Sequence, residues 1–124
     1  MKAPEKEKFA RGLFKSMNNR DFSDIEGLLD ENVCFDFPGV KRSEGIRKTR
    51  ILLSALLKKY PELVFSVQDV IIDEDKGCVV WTNKGTDVNN SPYENSGITL
   101  LYFKAGKISF ISDYFKDTSF TLKS

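Results

Sequence analysis

The spacing of apolar residues changes once along the chain and divides it into two halves. From about Glu5 to Asn19, Phe9, Leu13, Phe14 and Met17 recur at helical spacing with charges between them, which predicts an amphipathic helix. Pro4 just before this run suits a first helical turn. Ser23-Asp24-Ile25-Glu26 reads as a capping box that opens a short second helix, with Ile25, Leu28 and Leu29 as its buried side. Val33-Cys34-Phe35-Asp36-Phe37 predicts a short strand ended by the breaker pair Pro38-Gly39. A third helix is expected after Ser43, with Ile46, Leu53, Leu56 and Leu57 inward, stopping before Pro61.

Beyond Pro61 the period falls from 3.6 to 2. Four strands are predicted, Leu63–Ile72, Cys78–Val88, Asn95–Phe103 and Lys107–Phe115. The separators are turn-forming: Asp73-Glu74-Asp75-Lys76-Gly77, Asn89-Asn90-Ser91-Pro92 and Lys104-Ala105-Gly106. Connections this short force antiparallel neighbours, because a parallel crossover needs a dozen or more residues. The expectation is a single α+β domain over residues 1–124, with three N-terminal helices packed on a curved antiparallel sheet.

The strands carry a further clue. On Lys107–Phe115 one face holds Ser109, Ile111, Asp113 and Phe115, and the other holds Ile108, Phe110, Ser112 and Tyr114. On Leu63–Ile72, Phe65, Val67 and Ile71 oppose Val64, Val70 and Ile72. A sheet with one buried face should alternate apolar with polar. This sheet reads as covered on both faces, and three helices cover only one, so a homodimer through the second face is expected.

Composition narrows the chemistry. Of 124 residues, 40% are apolar and 12% aromatic, enough for a core without staples. Histidine is absent, which excludes Ser-His-Asp triads, Cys-His dyads and His-bearing metal sites. Cys34 and Cys78 are far apart without C-x-x-C spacing, so they read as free thiols that pack as small apolar groups in a reducing, cytoplasmic compartment. With a net charge of +1, nothing asks for nucleic acid or an anionic membrane. No apolar run approaches a membrane span, and the charged start of the chain does not read as a signal peptide. The basic residues Lys41, Arg42, Arg47, Lys48 and Arg50 read as a solvated helix face rather than a phosphate site.

A short strand ending in Asp36-Phe37-Pro38-Gly39, then a long helix, then a meander closing on Gly106-Lys107-Ile108, Asp113-Tyr114-Phe115 and Asp117 resembles the SnoaL-like branch of the nuclear transport factor 2-like superfamily. The resemblance runs from about Lys8 to Phe120. It implies a cone-like, cystatin-like roll whose sheet and helices enclose an apolar pocket, usually in dimers. The relatives include ketosteroid isomerases, limonene-type epoxide hydrolases and polyketide cyclases, so the fold alone leaves the reaction open.

The resemblance also assigns residues. Asp36, with Gly39 and Gly45 following, matches the spacing around the base of ketosteroid isomerases, and Asp113 matches an acid of limonene-type epoxide hydrolases. The remaining parts of each machinery are missing. The isomerase Tyr falls near Leu13 or Phe14 and its protonated Asp near Thr99; the hydrolase Arg and second Asp fall near Lys84 and Thr86, with Asp87 one residue off. Cyclases of the SnoaL type are thought to use a His with an Asp, and this chain has no His.

Asp113 shares a strand face with Ile111 and Phe115, so burial should raise its pKa toward acid/base range. Asp36 lies between Phe35 and Phe37 and by alternation points away from both. Trp81, Tyr102 and Phe115 are expected to line an apolar cavity, and Lys84 could offer a cation to an acidic ligand. The expectation is thus a protein that binds a small hydrophobic ligand without metal or cofactor. If catalytic, Asp113 would be the acid/base with Asp36 assisting through a water, in isomerase, cyclase or hydrolase chemistry. The alternative is a non-catalytic binding or dimerisation module on the same scaffold.

Overall fold

A computed structural model describes residues 1–122. Helix α1 spans Ala3–Asn19 and buries Ala10, Leu13, Phe14 and Met17, the stripe its sequence spacing predicts. It ends at Arg20, whose left-handed backbone (φ 54°) turns the chain away. The expected second helix is a single turn, α2, over Ile25–Leu28, and no side chain caps it. The Asp21 carboxylate accepts from the Ser23 N–H instead, so Ser23 is held in a turn rather than as a cap. Leu29, expected on that helix, already begins strand β1 (Leu29–Asp36). A two-residue strand β2 (Ser43–Glu44) precedes α3 (Ile46–Lys58), which starts after Gly45 at φ 98°.

The strands β3 (Val64–Asp73), β4 (Lys76–Thr86), β5 (Pro92–Lys104) and β6 (Lys107–Phe115) form the expected antiparallel meander. The whole sheet has six strands in the order β2-β1-β6-β5-β4-β3. It is mixed rather than antiparallel throughout, because β1 runs parallel to β6. The short-connection argument binds only neighbours in sequence, and seventy residues separate β1 from β6, so nothing in the turns dictated their direction.

Two bulges revise the predicted faces. In β3 the register slips between Val67 and Asp69, so Phe65, Val67, Val70 and Ile72 all pack toward the core. Between β5 and β6, Tyr102 pairs with Phe110 but Phe103 with Ile108, which leaves Ser109 as the extra residue and sends Ile108 inward with Ile111. An inserted residue shifts every later side chain to the opposite face. The outer face still carries Val64, Ile71, Tyr102 and Tyr114, each exposed.

One core joins the helices to the inner sheet face: α1 lies against β3 and α3 against β1. Two polar side chains at the end of α1 fasten the chain that follows α3. Asn18 exchanges two hydrogen bonds with the Phe65 backbone, at 2.9 and 2.8 Å. The Arg20 guanidinium donates to the carbonyls of Leu63 (2.7 Å) and Tyr60 (2.9 Å). Together they fix one rim of the cavity described next.

Candidate functional site

Between α1, α3 and the inner sheet face lies a cavity of about 260 Å³. Leu13, Phe14 and Met17 of α1 and Leu53, Leu56 and Leu57 of α3 supply one side. Phe35, Phe65, Ile111 and Phe115 supply the other, while Pro38–Val40, Tyr60, Tyr93 and Phe120 stand around it. Asn83, Thr99 and Asp113 from the sheet interrupt this apolar lining, and Tyr93 of β5, Tyr60 and Lys59 also line it.

Their positions follow from strand alternation. Val79, Trp81 and Asn83 occupy the inner face of β4, and Thr99 on β5 pairs with Asp113 on β6. The indole Nε1–H of Trp81 donates to Thr99 Oγ1 at 2.9 Å, and the Thr99 hydroxyl donates in turn to Asp113 Oδ1 at 2.6 Å. Because Trp81 can only donate, the Thr99 proton is committed to the carboxylate. Gly97 makes room for the indole: a Cβ there would sit 3.0 Å from Trp81 Cζ2 and collide with the Tyr114 carbonyl. The Phe115 ring packs edge-on against Trp81 (5.1 Å) and Phe37 (5.4 Å), which holds the end of β6 against the cavity.

Asp113 lines the cavity, and among the described residues no cation pairs with it. Burial pushes its carboxyl up to about 7, against the opposing pull of the Thr99 hydrogen bond. Burial also pushes the Tyr60 and Tyr93 phenols up; their rings lie 4.4 Å apart. Asn83 is 4% exposed, and its Oδ1 accepts no hydrogen bond from any described group. Leaving such an atom unpaired costs about 1–3 kcal/mol.

The structure brings only some of the expected residues together. Asp113 and Phe115 are in the cavity wall. Trp81 is buried behind it, reaching it through Thr99 rather than lining it. Asp36 lies outside, since Phe35 and Phe37 take the inward positions on either side; its carboxylate meets Arg42 at 3.3 Å on the surface. The two carboxylates therefore do not converge. Tyr102 stands on the outer sheet face against Phe110 (5.0 Å), and Lys84, next to inward Asn83, points outward and is exposed. Of the basic residues, Arg42 pairs with Asp36 and Arg50 with Glu26, while Lys41, Arg47 and Lys48 are exposed.

Asn83 and Thr99 also stand in the cavity wall; the sequence reading named Thr99 only as the place of a missing isomerase Asp and did not single out Asn83. Extending the period-2 pattern from Val79 and Trp81 would have turned Asn83 inward, and extending it back from Phe103 and Leu101 would have done so for Thr99. Among the described residues, no group of His, Cys, Asp and Glu side chains is arranged to hold a metal. Among the described residues, no helix is long and apolar enough to cross a membrane.

A family model described as SnoaL-like domain matches residues 10–111. No curated protein matches the chain by sequence. Solved structures share the fold at low identity. A protein of unknown function from Burkholderia pseudomallei K96243, described as NTF2-like, aligns with TM-score 0.86 at 17% identity over 96% of this chain and 95% of its own. TerC, co-crystallised with polyporic acid, aligns with TM-score 0.84 at 14% identity over 97% of this chain and 99% of its own. Bal32a, from a soil-derived mobile gene cassette, aligns with TM-score 0.84 at 16% identity over 93% and 92%.

Proposed function

The chain belongs to the SnoaL-like domain family, and from that premise we propose that it binds a small hydrophobic ligand in the cavity and uses Asp113 as an acid/base on it. One observation carries the reading: a carboxyl raised to about pKa 7, with no cation paired to it among the described residues, in the wall of an apolar cavity. Near neutral pH such a group is both a competent base and a competent acid. Among the described residues, its one side-chain hydrogen-bond partner is the Thr99 hydroxyl.

Thr99 occupies Oδ1, which leaves Oδ2 for the ligand. In the simplest reaction, Oδ2 takes a proton from the carbon beside a carbonyl, leaving an enolate and a neutral Asp113. The same oxygen then returns the proton, at the original carbon or at a conjugated one, and no net electron change occurs. Asp36 has no part in this scheme, because its place on the surface removes it from any shared reacting atom.

The test is hydrogen–deuterium exchange at the carbon next to the carbonyl of 2-tetralone, a two-ring ketone. Wild-type protein is expected to accelerate exchange above buffer, and Asp113→Asn to lose at least about 100-fold of that acceleration. Exchange no faster than buffer would favour the second reading, a non-catalytic binding module. That reading draws on Asp113 being the one carboxylate among the described residues that line the cavity.

A homodimer through the outer sheet face belongs to the same proposal. Val64, Ile71, Tyr102 and Tyr114 are exposed there on one surface, more apolar area than a solvated strand face needs. A cytoplasmic location fits the two free cysteines.

A further inference from the structure

We propose that Trp81 is a positioning residue for Asp113: through Thr99 it holds Oδ1 as a hydrogen-bond acceptor in both charge states of the carboxyl, which confines the exchangeable proton to Oδ2. This rests on Asp113 acting as the acid/base, and adds how a side chain behind the cavity wall decides which oxygen handles the proton.

Trp81 shares a row across the sheet with Gly97 and Phe115, one inward position along from the row that holds Val79, Thr99 and Asp113. The indole lies over Gly97, where a Cβ would come within 3.0 Å of Cζ2, and the missing side chain lets it reach diagonally to Thr99. The rings of Phe65 and Phe115 stand edge-on to it at 5.3 and 5.1 Å, which keeps its Nε1–H on one bearing. Trp81 and Thr99 are both buried, so bulk water does not compete for either group. Among the described residues, Lys59, Tyr60 and Tyr93 are the other titratable groups in the lining, and α1, β1, β3 and β4 bring none. The Asp113 carboxyl is moved by burial first and by the Thr99 hydrogen bond second.

An indole N–H only donates, so at Thr99 Oγ1 it takes up accepting capacity and polarises the hydroxyl, making Thr99 a stronger donor and a weaker acceptor. The Thr99 proton goes to Asp113 Oδ1, the one acceptor bonded to it among the described residues. A neutral carboxyl with its proton on Oδ1 would have to donate to that weakened acceptor and strand the Thr99 proton in a buried site. The proton therefore sits on Oδ2, which has no partner among the described residues and is not closed off as the unpartnered Asn83 Oδ1 is. A proton drawn from the ligand carbon, whose electron pair stays on the ligand, lands on Oδ2 and leaves from it. Without the indole N–H, Thr99 donates less strongly to the charged carboxylate and accepts more readily from the neutral one. Both effects favour the neutral form.

Carbon-detected NMR titrations of the Asp113 carboxyl in wild type, Trp81→Phe, Thr99→Val and the double variant form a cycle that tests this. Trp81→Phe should move the Asp113 midpoint up in the wild-type background and leave it in place in the Thr99→Val background. In 2-tetralone exchange, Trp81→Phe should lose about three- to tenfold in kcat with KM kept within about twofold. A midpoint that stays or falls on Trp81→Phe, or that rises equally in both backgrounds, would overturn the proposal, since the indole would then act through packing or not at all. A second measurement needs no variant. Trp81 is the only tryptophan of the chain, so wild type gives a single indole N–H signal. That signal should follow the Asp113 midpoint and stay protected from solvent exchange on both sides of it; a signal indifferent to the midpoint, or unprotected where Asp113 is neutral, overturns the proposal as well. If wild type does not accelerate 2-tetralone exchange, the acid/base reading fails and Trp81 has no reaction to serve. A failed cycle with exchange intact defeats this inference alone.

Discussion

Replacing Asp113 by Asn should change how stability depends on pH. In the unfolded chain an Asp titrates near 3.9; in the fold, burial raises Asp113 to about 7. Between these values the folded state holds a proton that the unfolded state has lost. Stability therefore falls as pH rises through this window, by about 1.4 kcal/mol per pH unit at most. The contribution is full below about pH 4 and gone above about pH 7, a total on the order of 4 kcal/mol. Asn keeps an oxygen for the Thr99 hydroxyl at Oδ1 but cannot ionise. The variant should match wild type near pH 4 and exceed it by roughly 4 kcal/mol at pH 8, less whatever water penetration relieves. Urea unfolding of both proteins at pH 4, 5.5, 7 and 8.5 measures the difference, and taking the difference cancels the other carboxylates. A constant offset across the series would refute the reasoning. So would a wild type that gains on the variant as pH rises, which is the sign of a depressed pKa.

Further predictions follow from the same geometry. Thr99→Val removes the hydrogen bond that favours the charged carboxylate, so an NMR titration should find the Asp113 carboxyl higher still than in wild type. It also leaves Trp81 Nε1 without its acceptor, and urea unfolding should show a loss of about 1–3 kcal/mol. Asp36→Ala breaks a surface pair with Arg42 whose side chains are both about half exposed; stability should move by less than about 1 kcal/mol and 2-tetralone exchange should stay at the wild-type rate. Ile71→Lys puts a charge on the outer sheet face, and the proposed dimer predicts that light scattering will give twice the chain mass for wild type and the single-chain mass for the variant.

The helical half was legible in outline because its stripes are long: Leu13, Phe14 and Met17 on α1 and Leu53 and Leu57 on α3 recur often enough to fix a face. The direction of Asp113 was legible for a similar reason. Ile111 and Phe115 share its face and no bulge separates them. Ile108 was misassigned because the extra residue Ser109 lies between, and nothing in Lys107-Ile108-Ser109-Phe110 signals an insertion. Gln68 did the same to Val70 and Ile72. The parallel pairing of β1 with β6 depends on contacts between the ends of the chain, which local patterns do not encode. Tyr102 and Lys84 were drawn toward the cavity by residue type, although alternation from inward Leu101 and Asn83 turns both outward. Asn83 escaped notice for the opposite reason. Between Thr82 and Lys84 it looked like part of a polar strand end, and only its burial gives it meaning.

The most direct test of the central claim is a carbon-detected NMR titration of the side-chain carboxyls, with Asp113→Asn used to assign the Asp113 resonance. The account predicts one aspartate titrating near pH 7, absent in the variant. An Asp113 carboxyl titrating at or below about 4, the ordinary range for an exposed aspartate, would contradict it.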